Sequence, residues 1–206
     1  MARPTLPPPR HGFEHVFRFV NSEGEIMAKI MPGEYYVTKP PEVVTTLLGS
    51  CVAACIRDPD LELGGMNHFM LPHLGPAWRQ AASDANRYGT AAMESLINEI
   101  LKSGGRRERL EVKVFGGGNM GFKQSAIGAQ NIEFVEEFLA REGLLPVARC
   151  LGGGAARKVI YEPGTGRVRL LRLPPLEQRA VEREEQILES TITRQPVEAG
   201  SIELFD

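Results

Sequence analysis

Thr45-Thr-Leu-Leu-Gly-Ser-Cys51-Val-Ala-Ala-Cys-Ile-Arg-Asp58, followed after Pro59-Asp-Leu-Glu-Leu63 by Gly64-Gly-Met-Asn-His68-Phe-Met-Leu71, is the stretch that decides how this chain folds. Val43 to Leu48 reads as a strand, and Gly49-Ser50 as a turn or bulge. Val52 to Arg57 reads as a second, apolar strand, and Gly64 to Leu71 as a third that Pro72 stops. Asp58-Pro59-Asp60 is a turn signal, because proline presets φ and an aspartate side chain can accept from the backbone beyond it. The strands on either side are therefore expected to pair antiparallel. With the turn centred between Pro59 and Asp60, Cys51 stands directly opposite His68. Directly opposed residues share a face, with Cβ atoms ~5 Å apart. A slip of one residue would turn His68 to the other face.

A thiol beside an imidazole is the working part of a thiolate nucleophile, since the imidazole can take the thiol proton and return it to a leaving group. If Cys51 and His68 act together, the chain is an acyl-transfer hydrolase. The competing reading is a small buried apolar residue and a satisfied core histidine. Cys55, inside an apolar strand, and Cys150, at a strand end, read as packing. Cys51, Cys55, His68 and His73 also fit a loose zinc-finger spacing. A finger needs both histidines on one helix, and Gly64-Gly65 and Pro72 before them oppose helix, so no metal is expected.

Outward from this hairpin, Glu34 to Thr38 alternates as a strand, and His15 to Val20 could form a short one. Residues 73 to 83 read as a loop. Asp84 to Lys102 has the clearest helical period, with Tyr88, Ala92, Leu96 and Ile100 in one row and Met93, Ile97 and Leu101 in the next. Leu110 to Phe115 is a strand entering Gly116-Gly-Gly118. Ala129 to Arg141 is a second helix, with Ile132, Val135, Phe138 and Leu139 inward. Leu145 to Cys150 is a strand entering Gly152-Gly-Gly154. Lys158 to Tyr161 and Arg167 to Leu173 make a hairpin across Pro163-Gly-Thr-Gly166. About eight strands and two core helices predict a mixed α+β layered domain over residues 31–175. Residues 1–30 are an N-terminal extension, expected to be disordered through about residue 12, where four prolines and no apolar period occur. Residues 176–206 carry eight acids against three bases and read as a solvated acidic tail, with an exposed helix over Gln178 to Ser190.

With 206 residues, 42% apolar, 24% charged and a net charge of −2, the chain is an ordinary globular one with no general pull toward nucleic acid or anionic membranes. No apolar run reaches membrane-spanning length, and the N-terminus lacks a secretory core. Three cysteines without framework spacing suit reduced thiols in the cytoplasm. Gly116-x-Gly118-x-x-Gly121 formally matches a dinucleotide fingerprint, but no helix opens there, and Phe122 stands where a mononucleotide loop needs lysine. The glycine runs read as tight turns at strand ends, or as places where a partner helix could approach the backbone.

Several of these segments resemble the CheD family of chemoreceptor glutamine deamidases. They are TTLLGSCVAACIRDP from Thr45, GGMNHFMLP from Gly64, Arg87-Tyr-Gly-Thr-Ala-Ala92, Phe115-Gly-Gly-Gly-Asn-Met120, Ile127-Gly-Ala-Gln-Asn131, Gly152 to Val159 and Pro163-Gly-Thr-Gly166. The resemblance covers about residues 33 to 173 and omits both ends of the chain. It implies a cytoplasmic enzyme, without cofactor, that converts glutamines of methyl-accepting chemotaxis proteins to glutamate, and a layered α/β/β sandwich of mostly antiparallel strands. The family's cysteine, its histidine seventeen residues later and its threonine six residues earlier fall on Cys51, His68 and Thr45, with Thr46 adjacent. Backbone N–H groups at Gly49, Ser50 and Cys51 would hold the oxyanion, and the threonine would orient His68. The resemblance also leaves room for an adaptor that binds receptors or a CheC-type phosphatase, and for a methylesterase side activity.

Overall fold

The computed structural model describes residues 5–71, 78–119 and 124–194, excluding the side chains of 78–86, 124–125 and 192–194. In chain order the strands are β1 (Phe17–Val20), β2 (Ile26–Lys29), β3 (Tyr35–Thr38), β4 (Glu42–Leu48), β5 (Val52–Asp58), β6 (Leu63–Asn67), β7 (Glu111–Gly116), β8 (Pro146–Leu151), β9 (Arg157–Glu162) and β10 (Arg167–Arg172). The helices are α1 (Trp78–Lys102), α2 (Gln124–Arg141) and α3 (Pro175–Arg194). One sheet runs β1-β2-β4-β9-β10 and the other β3-β6-β5-β7-β8. Pairing is antiparallel except at β2–β4 and β7–β8.

The period of two along β5 builds the layers. Val52, Ala54 and Ile56 point to one side, where they meet Met93, Leu96, Ile97 and Ile100 of α1 and Phe134, Val135, Phe138 and Leu139 of α2. Cys51, Ala53 and Cys55 point to the other side, where with Met66 and Phe115 they meet Val44, Leu48, Val159 and Tyr161 of the opposite sheet. The order is helices, sheet, sheet: the α/β/β sandwich expected. Buried on both faces, β5 is apolar along nearly its whole length, which is why it reads as a run rather than an alternation.

The β5–β6 hairpin forms as expected, with a different register. Cys55 pairs with Met66 and Asp58 with Leu63, and Val52 bridges to Phe69. His68 therefore stands across from Ala53 rather than from Cys51. The expected register misplaces the partner by two residues because the connection is longer than a tight turn. A 3-10 turn over Pro59–Leu61 ends on Glu62 in the left-handed region, at φ 50°. An even displacement keeps the face, so His68 still shares a side with Cys51. The Asp58 carboxylate accepts from Asp60 N at 3.1 Å, Arg106 N at 2.9 Å and Arg109 Nε at 3.0 Å, which fixes the turn.

Other departures lie nearer the ends. α1 begins six residues earlier than its periodic row suggests, at Trp78, and α2 five residues earlier, at Gln124. β2 has no counterpart among the expected strands. Residues 5–16 lack regular structure yet are anchored rather than trailing free. Arg10 donates to Val37 O at 3.1 Å and pairs with Glu99 at 2.9 Å, while Phe13 is buried edge-on against Tyr35 and Tyr36. The largest departure is α3. The acidic segment is not a wholly solvated appendage: Val181 and Glu185 are buried, and Glu185 reaches the end of β4.

Candidate active site

β4 ends at Leu48 and β5 begins at Val52, leaving Gly49, Ser50 and Cys51 as a three-residue turn whose backbone N–H groups are free of sheet pairing. Loop carbonyls are tied down instead. Gly118 N donates to Gly49 O and Gly117 N to Cys51 O, each at 2.7 Å, and Asn131 Nδ2 donates to Ser50 O at 2.8 Å. This approach is possible only without side chains. A Cβ on Gly116 would lie 2.1 Å from Cys51 O, and one on Gly118 would lie 2.7 Å from Gly49 O. The Gly116–Gly118 run thus buttresses the nucleophile turn. Asn131 extends the brace, since its Oδ1 accepts from Leu71 N at 2.8 Å, three residues beyond His68.

Cys51 is 0% exposed and His68 1%, so neither is set by solvent. Cys51 Sγ, a ring nitrogen of His68 and a carboxylate oxygen of Glu185 all lie within 4.8 Å of one another. His68 Nδ1 is 2.7 Å from Thr46 Oγ1. The same hydroxyl donates to Ile30 O at 2.9 Å. A hydroxyl has one proton, so toward His68 it accepts, and the imidazole carries its proton on Nδ1. Nε2 then offers a lone pair, and that buried atom has no hydrogen-bond partner among the described residues. Thr45, the residue that family spacing selects, points the other way along the strand. Its Oγ1 donates to Val159 O at 2.8 Å. The geometry therefore gives the contact with His68 to Thr46, its neighbour.

Glu185 is the feature that sequence reasoning missed. Its Oε1 accepts from Gly49 N at 2.8 Å and Cys51 N at 3.0 Å; its Oε2 accepts from Ser50 N at 2.9 Å and Ser50 Oγ at 2.7 Å. A Cβ on Gly49 would sit 2.8 Å from Oε2 of this carboxylate, so the small residue leaves it room. A signal was present: Val181, Glu185 and Leu188 recur at helical spacing, placing a glutamate in the helix's apolar row.

The electrostatics follow from burial and from this carboxylate. Burial pushes the Cys51 thiol well above its usual range, and the Glu185 charge and hydrogen bond push it further, against the pull of the turn's backbone. Burial holds His68 down at about 4, although the Glu185 charge opposes the shift. With α3 seated, the pair is a neutral thiol and a neutral imidazole. Cys55, also buried, has its thiol raised chiefly by burial and has no imidazole beside it. Cys150 is exposed on β8.

Cys51, His68 and Glu185 together offer the donor types of a metal site. The carboxylate's roughly four lone-pair sites are already met by four N–H and O–H donors, so Glu185 is dressed as an anion in a hydrogen-bonding cradle, not as a ligand. His73, the remaining member of the zinc-like spacing, and Phe122 of the nucleotide-like one lie outside the described residues.

A family model described as CheD chemotactic sensory transduction matches residues 70–172. A protein of Rhodopseudomonas palustris named probable chemoreceptor glutamine deamidase CheD is 56% identical over 181 residues, covering 87% of this chain and 84% of the relative. Proteins of the same name from Hahella chejuensis and Halorhodospira halophila are each 46% identical, covering 94% and 98% of this chain and 92% and 95% of theirs. No described helix is long and apolar enough to cross a membrane.

Proposed function

The chain belongs to the CheD family and is a chemoreceptor glutamine deamidase, and we propose that it works through a thioester on Cys51, with His68 as the proton carrier. The observation that carries this reading is a His68 ring nitrogen within 4.8 Å of Cys51 Sγ, on a buried imidazole whose Nδ1 is held by Thr46 and whose Nε2 has no partner among the described residues.

A carboxamide is a poor electrophile, because resonance feeds nitrogen density into its carbonyl carbon. A thiolate and oxyanion support answer that difficulty. His68 Nε2 takes the Cys51 proton as Sγ bonds to the glutamine Cδ, and the carbonyl π pair moves onto oxygen. The N–H groups of Gly49 and Cys51, which converge on one point, receive that oxyanion; the loss of one such donor typically costs about 10²–10³ in rate. As the intermediate collapses, the C–N bond breaks. The proton on Nε2 passes to nitrogen, and ammonia leaves. Water then attacks the thioester while Nε2 takes one of its protons. The C–S bond breaks, the proton returns to sulfur, and glutamate and free Cys51 remain. Nδ1–H stays on Thr46 throughout, so the ring cannot turn its wrong nitrogen to the thiol. Thr46 is a positioning residue. As a neutral acceptor it stabilises the transient imidazolium less than a carboxylate would.

The free thiols of Cys51, Cys55 and Cys150 suit the reducing cytoplasm, where receptor signalling domains are accessible. Pairing with a CheC-type phosphatase is the further implication of family membership, and co-purification from the host would test it. The enzymatic reading is tested by ammonia release from a receptor cytoplasmic fragment. Wild type is expected to release it and Cys51→Ala to release none; equal release by both would refute the assignment.

A further inference from the structure

Glu185 is a buried carboxylate with four donors and no cation among them. Such a group must have a cradle that compensates its lost hydration. The cradle is the nucleophile turn itself, and the ion occupying it is a glutamyl carboxylate, chemically identical to the product of glutamine deamidation. Both oxygens meet donors, and the Oε1 pair, Gly49 N and Cys51 N, is the one that would receive the carbonyl oxygen of a reacting carboxamide. One helical turn before Glu185, Val181 is buried against Leu47, Ala156 and Leu173. One turn after it, Leu188 packs on the edge of the core that contains Cys51.

We propose that α3 is a tethered product mimic: Glu185 fills the seat of the reacting glutamine, and the apolar surface of Leu47, Ala156 and Leu173, which Val181 covers, is the subsite for an apolar residue four positions before that glutamine in a substrate helix. The inference rests on the deamidase reading. Its consequence is self-occlusion. A receptor segment must displace α3, and while α3 is seated its carboxylate stands where negative charge would develop and opposes ionisation of the thiol. Release of α3 both opens the seat and arms Cys51. The helix is long enough to hold its place by packing at Val181 and Leu188 on either side of the glutamate.

Glu185→Gln in the full-length chain makes the most direct test, because it turns the mimic into an intramolecular substrate. Peptide mass spectrometry of the purified protein is expected to show the introduced carboxamide converted back to glutamate, and retained when Cys51→Ala is added. Persistence of the carboxamide in a protein that still deamidates a receptor fragment overturns the inference and leaves the function standing. A protein that deamidates neither sinks both. Independently, Val181→Asp is expected to unseat α3 and speed iodoacetamide alkylation of Cys51, about three- to fourfold for each pKa unit by which the thiol is relieved, the tenfold gain in thiolate being partly offset by its lower nucleophilicity. It should also lower the KM for a receptor fragment, as removal of a tethered competitor must. Alkylation and KM both unchanged from wild type would overturn the proposal.

Discussion

Two adjacent threonines on one strand provide a sharp test of the site. Thr46→Val preserves shape and removes the acceptor from His68 Nδ1, 2.7 Å away, together with the donor to Ile30 O at 2.9 Å. The ring is then left with an unsatisfied buried N–H, a cost of about 1–3 kcal/mol. The Nε2–H tautomer, which points a proton at the thiol, is no longer disfavoured. If that cost falls wholly on holding the active tautomer, deamidation slows by about 5- to 150-fold, taking 1.4 kcal/mol as a factor of ten. Thr45→Val removes only a hydroxyl that donates to Val159 O at 2.8 Å, on the face away from the imidazole. It is expected to cost about 1 kcal/mol of stability and leave the rate within a few-fold. The assay is initial-rate ammonia release from a receptor fragment, with urea unfolding to report stability separately. A larger loss of kcat in Thr45→Val than in Thr46→Val, at matched stability, would refute the orientation argued for His68.

Other expectations follow from the same contacts. Gly49→Ala places a methyl 2.8 Å from Oε2 of the seated Glu185 carboxylate and should loosen α3, so that iodoacetamide alkylates Cys51 several-fold faster with unchanged far-ultraviolet circular dichroism; an alkylation rate equal to wild type would contradict the close seating of Glu185. Asn131→Ala strips partners from Ser50 O and Leu71 N and should destabilise by about 2–4 kcal/mol in urea titration, with a loss of activity beyond that explained by unfolding. Asp58→Asn breaks the anchor to Arg109 and Arg106 N and should cost about 2–4 kcal/mol, with little change in kcat for the folded fraction. His68 is held at about 4 in the folded chain against 6.5 for an exposed histidine. The unfolded chain therefore binds the extra proton first. The contribution of His68 is full above pH 6.5 and is lost as pH falls toward 4, by about 3 kcal/mol in all. Unfolding measured across that window should show this slope in wild type and a flatter one in His68→Gln.

Much of the layered fold is legible in the sequence because it rests on local rules. The apolar run of β5, the turn at Asp58-Pro59 and the helical rows of α1 and α2 each specify an element without knowledge of the rest. Register is harder. It depends on whether Pro59–Leu61 closes as a tight turn or a 3-10 turn, and Glu62 in the left-handed region could not be foreseen from its residue type. His68 keeps its face only because the displacement is even. The choice between Thr45 and Thr46 is lost for a similar reason: spacing from Cys51 counts residues through the turn, whereas contact with His68 depends on which face of β4 a hydroxyl takes. Glu185 was hidden by its surroundings. In an acidic helix one more glutamate carries no signal of burial, except that it interrupts the Val181–Leu188 row. The glycine runs could be located but not explained, since only a folded chain shows that Gly116 and Gly118 lie against the carbonyls of Cys51 and Gly49.

The central claim is that a receptor glutamine passes through a covalent bond to Cys51. Acid-quenched turnover of a receptor fragment, followed by mass spectrometry of the intact enzyme and of its peptides, tests it directly. The account predicts an enzyme–fragment adduct joined at Cys51, lighter than the sum of the two by one ammonia, together with glutamate in the released fragment. Both should be absent with Cys51→Ala. Glutamate formed by Cys51→Ala at the wild-type rate, with no adduct in either protein, would contradict it.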